Sequence, residues 1–363
     1  MTAFEFGIFH EFACRDDQHE AEAFAEGFAL VDAAEAWGLD AVWLAELHFS
    51  PRRSVLASPL TLASAIAART ERLLIGTAVQ VLPLAQPVRL AEDAATVDQI
   101  SHGRLIFGVG RSGFQRVYEA YGIAYAESRD RFAEALEVIR AAWTEPEFSY
   151  HGRFYTYDRV TVTPRPYRQP HPPIRVAANS PDTFPAIGSQ GLPIFVAVRL
   201  GTLSELGPNI AAYRAAYRAA GHPGEGEVYL RVPVYVAESE ERARREPEAS
   251  IMSFYRTLGA RLEGSAGQAG ARAIEQRGER GQRLQNVTWE DAQREKVIVG
   301  APRSVKERLL ALRAELGLDG VLAELNCGGA IPYPQVHEAL RLLCTEVIPA
   351  FRQAAPPASR EPA

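Results

Sequence analysis

The sequence holds little cysteine, almost no lysine and no long apolar run. Its three cysteines, Cys14, Cys327 and Cys344, are too few and too scattered to form a disulfide framework. Lys296 and Lys306 are its only lysines, so arginine supplies nearly all of the positive charge. The formal net charge of −6, without any block rich in lysine or arginine, argues against nucleic acid as a partner.

Neither a membrane span nor an export signal can be read from the sequence. No apolar run approaches the roughly 20 residues that a spanning helix needs. The first residues, MTAFEFGIFHEF, lack the basic region and apolar core of a signal peptide. We therefore predict a cytoplasmic protein. His10, Cys14 and His19 share one early loop, but no further group of ligands completes a metal site, so we predict no bound metal.

Short apolar runs alternate with segments of helical periodicity along the chain. Such alternation predicts a parallel sheet, because each helix returns the chain to the same edge. Eight repeats in 363 residues fit a closed (β/α)8 TIM-like barrel of the α/β class. An open doubly wound sheet is the alternative, but the first strand–helix junction lacks the G-x-G-x-x-G fingerprint. The predicted strands cover 4–9, 41–45, 73–81, 105–109, 174–178, 193–198, 228–236 and 320–325.

Two insertions interrupt this rhythm. Residues 150–166 predict a short hairpin that lies outside the main sheet. Residues 261–296 are rich in Gly, Gln, Arg and Glu and poor in periodic apolar positions, which is typical of a mobile lid or a disordered segment. We predict one barrel domain over 1–354, followed by a disordered tail at 355–363.

Two strand ends predict a phosphate site at the mouth of the barrel, where enzymes of this fold carry their active sites. The fourth strand runs into the turn 110–113, in which Arg111 offers a planar fork of donors and glycines let a ligand approach the backbone. After the fifth strand, Ser180 is predicted to cap a helix whose first turn holds residues 181–183, at the positive end of the helix dipole. The alternative is a solvated arginine and an ordinary helix cap.

The rest of the mouth is predicted to be apolar, with few charges and small side chains. Such a floor leaves room for a flat ring system. An apolar floor with an anion anchor at one side suits flavin mononucleotide, FMN. The residues expected to form the floor are Ala45, Ala78, Ala178 and Ala197.

Five segments, in order along the chain, carry a resemblance to a known family. They are AVWLAELHF at 41–49, GTAVQVLPLAQPVRLAEDAATVDQISHGRLIFGVGRSG at 76–113, ESRDRF at 127–132, VAANSPDT at 176–183 and ELNCGG at 324–329. Together they resemble the signatures of the bacterial luciferase-like flavin monooxygenases. The ordered set spans nearly the whole chain and is far more specific than any one segment.

The resemblance implies a two-component enzyme. Reduced FMN (FMNH2) comes from a separate NAD(P)H:flavin reductase, and O2 adds to it as a C4a-peroxide that oxygenates a small to medium, hydrophobic organic substrate. Hydroxylation and Baeyer–Villiger insertion are both open, and a homodimer is implied. By position, the resemblance assigns Arg111, Arg129, Ser180 and Thr183 to the FMN phosphate, and Ala45, Ala78, Val79, Gly110, Ala178 and Asn179 to the flavin ring. It also implies a cis peptide between Ala78 and Val79 and a lid at 261–296 that keeps water out.

The histidines depart from the family pattern. Where the family often has two adjacent histidines after the glutamate, this chain has Leu47 and then His48. His48 is either a proton donor or a buried structural histidine, and His10 is a weaker acid–base candidate. Gly110 stands where the luciferases have a reactive cysteine.

Two other functions stay open. A barrel of this kind could instead bind the deazaflavin F420 and transfer hydride without oxygen. The loss of the first histidine also leaves room for a non-catalytic flavin-binding relative.

Overall fold

Eight apolar segments form the parallel strands of a closed barrel. The computed structural model describes residues 4–51, 53–112, 114–264 and 271–352. The barrel strands follow the order β1-β2-β3-β5-β8-β9-β10-β12, and β12 pairs with β1 to close it. The strands of the described chain are β1 Glu5–His10, β2 Ala41–Leu44, β3 Leu74–Thr77, β4 Gln80–Val81, β5 Leu105–Gly110, β6 Phe148–His151, β7 Thr156–Val160, β8 Ile174–Ala177, β9 Ile194–Ala197, β10 Val228–Val236, β11 Ile298–Gly300 and β12 Gly320–Glu324.

Helices surround the barrel and bury their apolar faces against its outer side. They are α1 Glu20–Ala36, α2 Pro59–Ala67, α3 Pro87–Ile100, α4 Gln115–Ala120, α5 Ser128–Thr144, α6 Thr183–Gly188, α7 Leu206–Ala219, α8 Glu240–Gly264, α9 Ala271–Gln285, α10 Trp289–Glu295, α11 Pro302–Leu316, α12 Tyr333–Leu342 and α13 Pro349–Arg352. Within the described ranges, none of these helices combines the length and the apolar character that crossing a membrane requires.

The inside of the barrel is plugged by aromatic side chains. Successive side chains of a strand point to opposite faces, so Phe9 of β1 points inward while Ile8 points to the helices. Trp43 of β2 fills the interior and is fully buried. Its neighbours Gly7 and Gly76 leave it space, because a Cβ at those positions would lie 2.5 and 2.0 Å from the indole. The lumen is therefore packed, and open space is confined to its ends.

A buried ion pair lies at the amino-terminal end of the lumen. Arg175 of β8 donates two hydrogen bonds of 2.8 Å to the carboxylate of Glu5. Its guanidinium also lies 3.5 Å from the ring centroid of Tyr229. These paired charges leave the opposite, carboxyl-terminal mouth as the place for a ligand.

The predicted architecture is confirmed, with one strand added. All eight predicted strands are present, and the predicted hairpin is the separate antiparallel pair β6–β7. The short strand β11 was not predicted; it pairs beside β10 outside the barrel circuit. The predicted single domain over 1–354 stays a prediction, and the tail at 355–363 lies outside the described residues.

The segment predicted as a lid is mostly helical where it is described, with a break at 286–288. It comprises the end of α8 together with α9 and α10, while residues 265–270 lie outside the described residues. Leu284 and Trp289 pack with Phe254 and Tyr255 of α8 in a second apolar cluster. The sequence interpretation missed these helices because their few apolar residues are separated by Gly, Gln and Arg. That the segment moves stays a prediction.

Substituting Gly76 by alanine tests the plug. We expect Gly76→Ala to lower the free energy of unfolding by about 1–3 kcal/mol, because the new methyl overlaps a buried indole that cannot move away. Chemical denaturation followed by tryptophan fluorescence measures the change. Gly207→Ala on α7 is the control, since nothing lies within 4 Å of its Cβ position. A Gly76→Ala protein as stable as this control would contradict the packing.

Candidate active site

The mouth of the barrel has two unlike halves. Strands β2, β3, β5 and β8 end in small inward-facing residues, whereas β9, β12 and β1 lead into charged ones. Strand β10 carries a charged residue at the same level, because Arg231 lies opposite Ala197, the last residue of β9. The prediction of an apolar mouth with few charges is therefore wrong for half of it, because the charged residues belong to the same inward-facing rows. The small half contains Ala45, Ala78, Gly110 and Ala177; the charged half contains Arg199, Arg231, Glu324 and Glu11.

The peptide bond between Ala78 and Val79 is cis, as the resemblance predicted. It follows β3 at the mouth and faces Gly110 at the end of β5. A Cβ on Gly110 would lie only 2.6 Å from Cγ2 of Val79, so glycine is required for this approach. Ala78 and Val79 remain partly exposed and form one wall of the small half.

Ala178 does not face the mouth. It is 1% exposed and belongs to the core between barrel and helices. Its neighbour Ala177 faces inward, 3.4 Å from the Cβ position of Gly110. The side chain that this strand end presents to the mouth is therefore Ala177 and not Ala178 as expected, because a shift of one residue moves a side chain to the other face of a strand. Asn179 is exposed at the strand end.

Arg111 is held at the junction of β5 and α5. Its Nη1 lies 3.2 Å from Oγ of Ser128, the first residue of α5. The hydroxyl of Tyr118 donates to the carbonyl oxygen of Arg111, and Ser112 has a φ of 58°. The neighbouring Gly113 lies outside the described residues. The turn predicted over 110–113 stays a prediction, and the guanidinium of Arg111 is directed toward the start of α5.

Arg129 reaches the loop after β8 through an acidic residue. Its Nη2 lies 2.6 Å from Oδ2 of Asp182. A hydrogen bond from Ser180, and then the Arg129 guanidinium, hold the pKa of Asp182 below its usual value. Ser180 Oγ lies 2.6 Å from Oγ1 of Thr183. Both predicted strand ends therefore meet the start of α5, Arg111 through Ser128 and Asp182 through the adjacent Arg129.

Ser180 is not a helix cap, contrary to prediction. The helix α6 begins at Thr183, with Asp182 as the residue before it. Residues 180–183 form a turn closed by a 2.8 Å hydrogen bond from the Thr183 N–H to the Ser180 carbonyl. The anion donors of this loop are therefore hydroxyl groups, and the helix dipole of a six-residue helix adds no separate site.

His48 is tied to a buried carboxylate that sequence reasoning passed over. Oε1 of Glu46 lies 2.8 Å from Nε2 of His48, while its Oε2 accepts from the Val81 N–H at 2.8 Å and from Gln80. Burial raises the pKa of Glu46. Nδ1 of His48 lies 3.2 Å from the Tyr121 hydroxyl. Glu46 stands inside the AELH motif, so the signal was present.

His10 lies outside the lumen. Because Phe9 points inward, His10 points to α1, where its ring stacks on Phe12 with centroids 4.3 Å apart. Nε2 is buried without a hydrogen-bond partner among the described residues. Burial lowers its pKa to about 4, so the ring is neutral near pH 7. This placement separates His10 from His48 and gives it no access to the mouth.

The charged half was missed because its partners come from distant elements. Glu11 accepts a 2.8 Å hydrogen bond from Nε of Arg53, and Glu324 accepts one of 2.9 Å from Arg231. Arg199 lies between the rings of Phe114 and Phe254. Glu11 and Arg199 directly follow predicted strands, so the sequence offered a signal for them. Arg53 and Arg231 lie in no recognisable motif, so the sequence offered none.

Comparison with known proteins decides the family. The model of the luciferase-like monooxygenases matches residues 4–320. The chain belongs to the luciferase-like monooxygenase family. A relative from Acinetobacter baylyi, the oxygenase component of a flavin-dependent trigonelline monooxygenase, is 26% identical over 93% of this chain and 92% of its own. Membership and this relative identify the chain as a flavin-dependent monooxygenase.

The chain is also similar to a second monooxygenase and, over about half its length, to an F420-dependent dehydrogenase. The oxygenating constituent of 3,6-diketocamphane monooxygenase from Pseudomonas putida, solved with FMN, shares the fold with a TM-score of 0.78. It is 19% identical and is covered over 99% of its length, for 96% of this chain. An F420-dependent glucose-6-phosphate dehydrogenase from Kineococcus radiotolerans is 37% identical, but only over 47% of this chain and 52% of its own.

The buried carboxyl of this luciferase-like monooxygenase predicts a pH effect. Because the pKa of Glu46 is higher in the folded than in the unfolded chain, the folded protein loses stability as the pH rises above about 4.5. Glu46→Gln removes that titration. We expect the melting temperature of this variant, relative to the parent, to rise between pH 4 and pH 7. Glu290→Gln on the exposed face of α10 is the control. If the melting temperature of Glu46→Gln, relative to the parent, falls as the pH rises, the raised pKa of Glu46 is refuted.

Proposed function

We propose that this chain is the oxygenase component of a two-component system, which takes reduced FMN from a separate NAD(P)H:flavin reductase and uses O2 to oxygenate an organic substrate. Hydroxylation and Baeyer–Villiger insertion both remain within the proposal, as do a homodimer and a cytoplasmic location. One observation supports it: the start of α5 contacts both predicted strand ends, through Ser128 to Arg111 and through Arg129 to the 180–183 turn, beside a half-mouth of small residues. The full-length relative named as an oxygenase component supports the separate reductase.

The residues present fit an FMN phosphate. Two guanidinium groups and the hydroxyls of Ser128, Ser180 and Thr183 supply donors from different directions. Arg129 is paired with Asp182, whereas Arg111 forms no ion pair with a described residue, so the site carries a surplus positive charge that a phosphate would balance. Charge-assisted bonds of this kind are about twice as strong as neutral ones.

The small half of the mouth fits the flavin ring. Ala45, Gly110 and Ala177 leave no side chain beyond Cβ, and the cis bond between Ala78 and Val79 forms a wall of partly exposed apolar groups. When bound, reduced FMN supplies the two electrons that send one oxygen atom into the substrate and the other into water. The chain itself orients the ring and holds it beside the charged half.

His48 is the proposed proton carrier at this mouth. Glu46 fixes one ring nitrogen, and the Tyr121 hydroxyl lies at the other. A proton can therefore pass between the outer hydroxyl and the inner carboxylate through the imidazole. The helices α8, α9 and α10 are proposed to exclude water, since Phe254 and Tyr255 are buried above the charged half.

An F420-dependent hydride transfer is the second candidate. The relative from Kineococcus radiotolerans favours it, with 37% identity over about half of each chain. Measuring which cofactor raises the melting temperature separates the two, because a ligand that binds only the folded state stabilises it. We expect FMN to do so. Stabilisation by F420 alone would reverse the choice.

Removing either phosphate arginine tests the cofactor site. We expect Arg111→Met and Arg129→Met each to weaken FMN binding by about 10- to 100-fold, since each removes a charged hydrogen-bond donor. Binding of riboflavin, which lacks the phosphate, should change little. Fluorescence titration measures both. Arg153→Met, at an exposed arginine paired with Asp130 at 3.3 Å, is the matched control. Equal losses for FMN and riboflavin would argue against the phosphate assignment.

Oxygen consumption tests the reaction. With a flavin reductase, NADH and FMN, we expect O2 uptake and, with the correct substrate class, a product that carries one atom from 18O2. Omitting the reductase should abolish both. If every substrate class gives only hydrogen peroxide, the chain is a non-catalytic flavin-binding relative. A His48→Gln variant that forms product at the parental rate would make His48 structural.

A further inference from the structure

The charged half of the mouth contains two compensated ion pairs. Both oxygens of Glu11 accept from Arg53. Arg231 donates through Nε and Nη2 to Glu324, at 3.1 and 2.9 Å, and also lies 3.4 Å from Glu11. All four side chains are at most 14% exposed. Two guanidinium groups and two carboxylates therefore balance one another.

Arg199 is the fifth charge of this cluster, and it forms no ion pair with a described residue, although Glu11 and Glu324 lie near enough to attract it. Its Nε and Nη2 are buried and make no hydrogen bond to any described residue. The nearest side chains are the rings of Phe114 and Phe254, whose centroids lie 5.1 and 5.6 Å from its Cζ. Burial, and then repulsion by Arg53 and Arg231, lower its pKa to about 9. Burying a charge without a partner is costly, so such a group is expected to meet a ligand.

The two free nitrogens specify the chemistry of that ligand. Nε and Nη2 form one edge of the guanidinium plane, the edge that binds both oxygens of a carboxylate. Arg53 and Arg231 use this same edge for Glu11 and Glu324. The corresponding edge of Arg199 meets no carboxylate of the part of the chain that the structure describes. Oε1 of Glu324 is also unpartnered, but it forms no ion pair with Arg199 in the described structure.

Arg199 is separate from the phosphate site. Its charged neighbours Glu11, Arg53 and Arg231 belong to β1, the loop after β2, and β10. The phosphate set instead follows β5 and β8, and no described hydrogen bond or ion pair joins the two groups. The cofactor phosphate therefore has its own donors, and Arg199 is left for a second anion.

We propose that Arg199 binds the carboxylate of the substrate, so that the molecule oxygenated at this mouth is an organic acid with an apolar body. The identity of that acid as substrate rests on the proposed function; the anion site itself does not. The aromatic rings of Phe114 and Phe254 would flank the part of the acid next to its carboxylate. This narrows the expectation of a hydrophobic organic substrate to one that also carries a carboxylate.

Paired probes test the carboxylate. Formate, acetate, benzoate and octanoate are each compared with their primary amides by thermal shift and calorimetry, at constant ionic strength set with chloride, on the full chain with and without FMN. We expect at least one acid to bind ten times more tightly than its amide. Arg199→Met should abolish that preference, and Arg199→Lys should retain part of it. If no acid in the series is preferred, or if the preference survives in Arg199→Met, the proposal is overturned.

Stability without ligand gives an independent readout. Because Arg199 is unpaired, Arg199→Met should not lower the melting temperature of the ligand-free protein, whereas Arg231→Met should lower it by removing the partner of Glu324. If both variants lower the melting temperature equally, Arg199 has a structural partner and the proposal is overturned.

Parallel FMN titrations separate the two proposals. Binding of an acid without FMN binding refutes the flavin function and leaves the anion site. FMN binding without any preference for acids refutes the anion site alone. If Arg199→Met weakens FMN binding as much as acid binding, Arg199 serves the cofactor and the proposal fails.

Discussion

The pleat of eight hydrogen-bonded parallel strands decides where every functional group of this chain can lie. In a closed barrel each strand has one row of side chains inside and one outside, and the register fixes which residues share a level. Trp43, Phe9 and Phe195 block the lumen, so only the last inward residue or two of each strand reach the mouth. The small half, the cis bond and the buried arginines are consequences of that single arrangement.

Fold and family could be predicted because their signals are local. Apolar runs, glycine turns and the ordered motifs are properties of short segments, and the strands they predicted are present. The facing of individual side chains could not be predicted as safely. Strands buried on both faces read as continuous apolar runs and do not reveal which residues point inward. For this reason Ala178 was assigned to the mouth, where the side chain of Ala177 faces inward, and His10 was considered as an acid–base candidate although it faces α1.

The charged half of the mouth could not be predicted from the sequence, for a different reason. Arg53 and Glu11 are 42 residues apart, and Arg231 and Glu324 are 93 apart. Each residue alone looks like an ordinary surface charge, and only the closed barrel brings them into one buried group. Composition also misled the interpretation of α9 and α10. Their apolar contacts are sparse, yet they complete a cluster that begins on α8.

The two polar sites of the mouth share one electrostatic property. The phosphate set has two arginines against one carboxylate, and the inner cluster has three against two, so each holds one surplus positive charge. Charges so placed repel one another most strongly where water is absent, which describes the inner cluster and not the exposed pair Arg129–Asp182. An anion at the inner site therefore relieves more repulsion than one at the outer site.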